Sequence, residues 1–215
     1  HTYHSHVIGC KYKTFKDIPP SYTTKKKSFI KCYRHPLFRY LSHTMKYHTT
    51  VWGKLYHKSV FEHLRFDPEI SYGEDTQISL QLLTQVDSVS YVSMPLYGYR
   101  ENAASLTQSS FKPKMTDDHI LSFLKLTAFI RQEKVSPFLR FLMNRRLTNR
   151  CFRWFCFKPY QKDKENYPVL WEKYLPVMHD LIKEGKFKPS YLRLYYRFLF
   201  FLWQHKYWNF LKKFL

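Results

Sequence analysis

Near residue 110 the hydrophobic period of this 215-residue chain changes, and that change limits what it can fold into. Before it, short runs rich in β-branched and aromatic residues, His6 to Tyr12 and Ser88 to Val92, flank a stretch with helical spacing. After it, the periodic stretches repeat at the helical spacing only. The first half therefore predicts an α/β domain over residues 1–110, and the second a helical appendage over 111–215. A hydrophobic content of 44% supplies a real core for one domain with a small addition.

Within the first half, residues 17–27 read as a loop, with Pro19, Pro20 and three consecutive lysines. A helix is expected around Pro36 to Met45, and a short helical turn at Val60 to Leu64. Glu74 to Val86 reads as a better-defined helix, with Ile78, Leu80, Leu82 and Leu83 as its apolar residues. Its acidic pair sits at the start, where the helix dipole favours negative charge. A strand follows at Ser88 to Val92, Pro95 interrupts it, and Leu96 to Arg100 continues extended. In the second half, Thr116 is the expected N-cap of a helix reaching Lys134, with Asp117 and Asp118 in its first turn. Ser136-Pro137 opens a helix to about Phe157. A polar loop occupies residues 158–168, Val169 to Glu184 is helical with a kink at Pro176, and Gly185 stops it. The last helical stretch is expected over residues 189–215.

The charge is lopsided: 36 Lys and Arg against 16 Asp and Glu, formally +20. An excess of this size favours an anionic partner. No zinc-finger spacing, RRM-type aromatic signature or Gly-rich KH loop accompanies it, so nucleic acid is not expected. From Ser136 onward there are 17 Lys and Arg and only 5 Asp and Glu, interleaved with aromatic residues. That texture suits an anionic membrane surface. Leu192, Leu194, Phe198, Phe201, Leu202, Trp208 and Leu211 are expected to insert, with Arg193, Arg197, Lys206, Lys212 and Lys213 on headgroups. The rival use of the same aromatics is packing on the protein core or in a homo-oligomer interface. The most apolar stretch, Tyr191 to Trp203, is too short to span a bilayer. The four cysteines lack a CxxC pair and read as reduced, mostly buried thiols, which fits a cytoplasmic setting.

One block carries chemistry. From residue 50 to 108 the order is Trp52-x-Lys54-Leu55-Tyr56, then Arg65-Phe66, then Glu74-Asp75 opening a helix. A strand, Pro95-Leu-Tyr-x-Tyr99-Arg100 and finally Ser105 complete it. This ordered set resembles the second half of the catalytic domain of family 2 glycosyltransferases that build capsular and cell-surface polysaccharides. The resemblance covers roughly residues 1–110. It implies the C-terminal part of a GT-A-like, Rossmann-like sheet domain. It also implies sugar transfer, with inversion, from a nucleotide sugar to a polysaccharide or lipid-linked acceptor at the inner face of the membrane.

Carried over residue by residue, Asp75 is the general base and Glu74 a neighbour that orients it or contacts the acceptor. Taken alone, the pair reads as an ordinary acidic helix start with Asp75 as cap, and it is the flanking pattern that favours catalysis. Trp52 stands near acceptor and donor, where an indole can stack on a sugar or simply fill core. Gly53 departs from the Asn usual in the motif. Lys54 reaches a phosphate or stays solvated. Tyr99 and Arg100 stand where the leaving diphosphate is neutralised, an ion pair being the plainer use of Arg100. The family holds a divalent cation, Mg2+ or Mn2+, on an Asp-x-Asp motif in its nucleotide-binding half. No such motif precedes Trp52, and Asp117-Asp118-His119 comes after the block, so no metal ligands are assigned. The expectation is a chain that begins inside a longer protein and is inactive by itself. The rival class is a non-enzymatic basic module that binds membrane or nucleic acid, which has no reason to carry the ordered block.

Overall fold

The structure, a computed structural model, describes residues 5–21, 28–45, 49–102 and 111–206. It divides the chain into two compact units: His1–Asp67 with Glu74–Ser109, and Pro68–Gly73 with Ser110–Leu215. The first is a mixed α/β unit with an open four-stranded sheet, as the sequence pattern predicts. The second is helical.

In the first unit the strands are β1 (Val7–Phe15), β2 (Ile30–Arg34), β3 (Lys54–Tyr56) and β4 (Ser88–Arg100), in the order β2-β4-β1-β3. β1 and β4 are parallel, and each outer strand is antiparallel to its neighbour. Pro95, expected to interrupt, lies inside β4. There the register against β1 shifts on both sides of Lys11, which faces Pro95. β2 pairs β4 only as far as Val92, so at Pro95 that flank of β4 has no described strand beside it. A missing N–H costs little at such an irregular, edge-like position. β2 itself was not legible: two of the five residues of IKCYR are cationic, and it becomes a strand by pairing with Ser88 to Val92.

The helix expected over residues 36–45 is shorter, α1 (Pro36–Leu41). His43 takes the left-handed conformation at φ 59°, and the amides of Thr44 and Met45 return to the Arg39 carbonyl, which ends it. The turn expected at Val60 to Leu64 is a 3-10 turn at Lys58–Phe61. Helix α2 (Glu74–Gln85) begins at the acidic pair, and Ile78, Leu80, Leu82 and Leu83 are all buried with Val7 and Val89 of the sheet. At roughly 2 kcal/mol for each large apolar side chain removed from water, this cluster is a main source of the unit's stability.

The second unit comprises α3 (Pro113–Gln132), α4 (Pro137–Phe152), α5 (Lys158–Lys162), α6 (Tyr167–Lys183) and α7 (Leu194–Gln204). Ser136 caps α4 by accepting from the Leu139 amide, as its Ser-Pro signature predicts. Three expectations are corrected, and that of a last helical stretch is met as far as the described residues reach. Thr116 is not a cap: α3 starts three residues earlier, and the buried Thr116 hydroxyl donates to the Trp154 carbonyl at 3.1 Å. That carbonyl lies in a π-helical turn, Arg153–Phe157, whose wide winding frees backbone groups for outside partners. The polar loop expected at 158–168 starts as α5 and gives way to α6 at Tyr167. The last stretch is a 3-10 turn, Pro189–Tyr191, followed by α7, and 207–215 lie outside the described residues. Cys151 is buried but Cys10 and Cys32 are only half-buried, against the expectation of mostly buried thiols. All three are free. No helix among the described residues is long and apolar enough to cross a membrane.

Residues 68–73 belong with this helical unit because Asp118 holds them. Its carboxylate, 3% exposed, accepts from the amides of Ser71 at 2.8 Å and Tyr72 at 3.0 Å, and from Lys114 Nζ at 2.7 Å. The neighbouring His119 ring stacks on Trp154 with centroids 3.8 Å apart. Burial, together with the Arg150 charge, pushes its pKa down to about 2, so it is neutral.

Candidate active site

Three local features bring the site residues of the first unit together. Helix α2 places Asp75 in its first turn. The segment that enters β3 carries Trp52, Gly53 and Lys54. Two buried hydroxyl residues of α2 fix that segment: Thr76 donates to the Thr49 hydroxyl at 3.2 Å, and Ser79 to the Thr49 carbonyl at 2.9 Å. The helix that presents Asp75 thereby also aims the segment bearing Trp52 and Lys54.

Asp75 is half-buried, and the loss of water around it raises its pKa. A backbone hydrogen bond from Val51 and the Lys54 charge pull the other way. Lys54 is itself desolvated, which lowers its pKa to about 8 although the Asp75 charge holds it up. Its ammonium also donates to the Thr50 carbonyl. The pair is thus a carboxylate made more basic by burial beside an amine made less basic by it. Lys54 is not the solvated lysine that the sequence left open.

A small cleft, open to solvent, lies beside this pair. Trp52, Lys54, Tyr12 and Tyr91 are among the residues that line it; Asp75 is not, and meets it through Lys54. Trp52 stacks on Tyr97 with centroids 5.1 Å apart and planes at 18°, tilts over Tyr99 at 4.8 Å, and receives the Tyr12 edge at 4.9 Å. The indole is therefore a half-buried centre of an aromatic cluster on the sheet. Gly53 has a physical reason: at φ +71° the backbone is left-handed, a conformation Gly adopts freely and Asn tolerates. The substitution of Gly for the motif's Asn keeps the turn and removes the side chain.

Tyr99 joins this cluster through Trp52. Arg100 does not: it closes β4, exposed, and donates to the Lys16 carbonyl at 3.3 Å. Glu74 is half-buried at the first position of α2. Ser105, which ended the sequence block, lies outside the described residues. Thr49, Thr76 and Ser79 were missed as positioning groups. Small hydroxyl residues carry no pattern of their own, and their pairing across 27 and 30 residues appears only on folding. Among the described residues no group of three or more His, Cys, Asp and Glu could hold a metal ion.

No family model matches the chain. Over 81 residues it is 36% identical to the uncharacterized glycosyltransferase EpsJ of Bacillus subtilis (strain 168), a match covering 37% of this chain and 23% of EpsJ. Among solved structures it resembles S. aureus TarS 1–349 in complex with UDP-GlcNAc, with a TM-score of 0.57 and 14% identity. That likeness, one of fold, covers 87% of this chain and 51% of the other. The chain thus spans about a quarter of EpsJ and half of the TarS chain. It is an α/β protein similar in sequence, over part of its length, to a glycosyltransferase.

Proposed function

We propose that this chain carries the acceptor-activating part of an inverting, nucleotide-sugar-dependent glycosyltransferase of family 2 type, with Asp75 as general base. The observation that carries the reading is the Asp75–Lys54 pair, fixed by α2 beside an aromatic-lined cleft. The partial identity with a glycosyltransferase supports it, and the nucleotide sugar bound to a protein of the same fold supports the donor class.

The acceptor hydroxyl gives its proton to the Asp75 carboxylate as its oxygen bonds to the anomeric carbon. The bond from that carbon to the diphosphate breaks, the nucleoside diphosphate leaves with the electron pair, and the anomeric centre inverts. Partial burial suits Asp75 to this step, because a carboxylate with a raised pKa takes a proton more readily. Lys54 balances its charge before transfer. Trp52, with Tyr99 behind it, offers apolar surface for a sugar ring, and Glu74 flanks the base. A polysaccharide or lipid-linked glycan is the proposed acceptor. The divalent cation of such enzymes would need ligands that the described residues do not group together, and no step here is routed through it.

In the protein that includes this chain, Asp75→Asn is expected to lower transfer by about 10²–10⁴-fold while leaving nucleotide-sugar affinity nearly unchanged. Transfer rate and donor affinity, measured side by side, check it. Near-normal transfer would make Asp75 a helix-start carboxylate and nothing more.

A further inference from the structure

Helix α7 is apolar on two sides. Leu199, Phe200, Leu202 and Trp203 are buried in the helical unit, and the Trp171 indole N–H donates to the Trp203 carbonyl at 2.8 Å, fixing that side inward. Leu192 and Leu202, expected on the outer surface, are thus core. The opposite side remains in solvent: Leu194 is 83% exposed, Tyr195 47%, Phe198 43% and Phe201 51%. Positions 194, 198 and 201 fall on one stripe at helical spacing.

Helix α4 continues this surface. Phe138, Phe141 and Arg145 are exposed at helical spacing, and Asn149, one turn further along the stripe, bonds the Tyr191 carbonyl and the Arg193 amide just before α7. The Phe141 ring meets Tyr191 edge-on at 5.4 Å. Exposed large apolar groups brought together in this way mark a docking surface.

We propose that this α4–α7 face docks on an anionic lipid leaflet. Charge selects the occupant. Residues 137–152 contain four arginines and 193–204 contain two, with no Asp or Glu in either stretch. Arg145, Arg193 and Arg197 are exposed beside the aromatic stripe. Aromatic rings with adjacent cations and no carboxylate suit the headgroup boundary of acidic lipids. A second copy of the chain would bring arginine against arginine, since a two-fold interface repeats the same surface on both sides. The inference is independent of sugar transfer, because attachment to lipid requires no turnover.

Co-sedimentation of the whole chain with vesicles tests it. Vesicles of phosphatidylcholine with phosphatidylglycerol are expected to carry the protein down at low salt, and vesicles of phosphatidylcholine alone are not. Arg145→Gln with Arg193→Gln should weaken partition about 30-fold. Phe198→Ser with Phe201→Ser should weaken it at least about tenfold. All four side chains are exposed, so unfolding transitions should match the parent and keep the comparison valid. Equal binding to both vesicle types, or binding unmoved by either double variant, overturns the proposal. So does a protein that ignores vesicles and self-associates in sedimentation velocity through these same residues, which would assign the face to a second copy.

Discussion

Burial shifts the pKa values of Lys54 and Asp75 in opposite directions, each shift partly offset by the other's charge, and the two have opposite consequences with pH. The Lys54 pKa is lowered from 10.5 to about 8 in the folded state. Between those values the unfolded chain binds more protons than the folded one, so this group makes stability rise with pH across that window. Lys54→Met should abolish that rise, seen as a stability difference between parent and variant that grows in the parent's favour from about pH 8 to 10.5. Asp75 acts the other way: its raised pKa means that the folded state holds the proton longer as pH climbs from 3.8, and its contribution falls there. Because the Asp75 charge holds the Lys54 pKa up, Asp75→Asn should move the Lys54 titration below about 8. A 13C-detected titration of the lysine side chain reads this directly. An unchanged value would mean that the two groups are not coupled.

At the scale of elements, α3 does more than cover a core. Its first turns supply Asp118, which holds the amides of Ser71 and Tyr72, and His119, whose ring closes on Gly73. Gly73 has φ +89°, and a Cβ there would lie 2.5 Å from His119 Cε1, so no other residue fits without movement. Asp118→Ala leaves the amides of Ser71 and Tyr72 without their acceptor and Lys114 without its carboxylate, and should destabilise the protein by about 1–2 kcal/mol, measured by denaturant unfolding. Asp118→Asn, which keeps one acceptor oxygen, should cost less. Equal unfolding midpoints for Asp118→Ala and the parent would show that the segment 68–73 is held by other means. In the sequence, Asp117-Asp118-His119 reads as the acidic first turn of a helix, with no metal assigned to it. Its use became visible once residues 45 and more apart met in space.

For the whole molecule, net charge outweighs any single contact. A formal +20 on 215 residues repels itself, and few acidic groups are present to offset it. Between about 0.01 M and about 0.15 M salt the screening length falls from about 30 Å to about 8 Å. The melting temperature should therefore rise over that range, and a fall would mean that the described ion pairs outweigh the repulsion. Those pairs are mostly exposed, such as Lys173–Asp117 at 3.1 Å and Lys206–Glu172 at 3.9 Å, and each contributes little. The same salt range separates electrostatic attachment to acidic lipid from purely apolar attachment.

Local pattern alone determined the class of each half, the start of α2 at Glu74-Asp75, the Ser136-Pro137 helix start and the stop at Gly185. These depend on period, dipole and cap chemistry within a few residues of one another. Tertiary structure alone decided the rest. β2 exists because β4 offers it partners, and Pro95 stays in a strand because the register slips beside it. Thr116 serves a carbonyl freed by a π-helical turn 38 residues away, a demand that no local signal announces. Which side of α7 faces water was equally unreadable, since both sides are apolar in sequence. The choice belongs to Trp171 and its hold on the Trp203 carbonyl, because burial is a property of what packs against a helix and not of the helix alone.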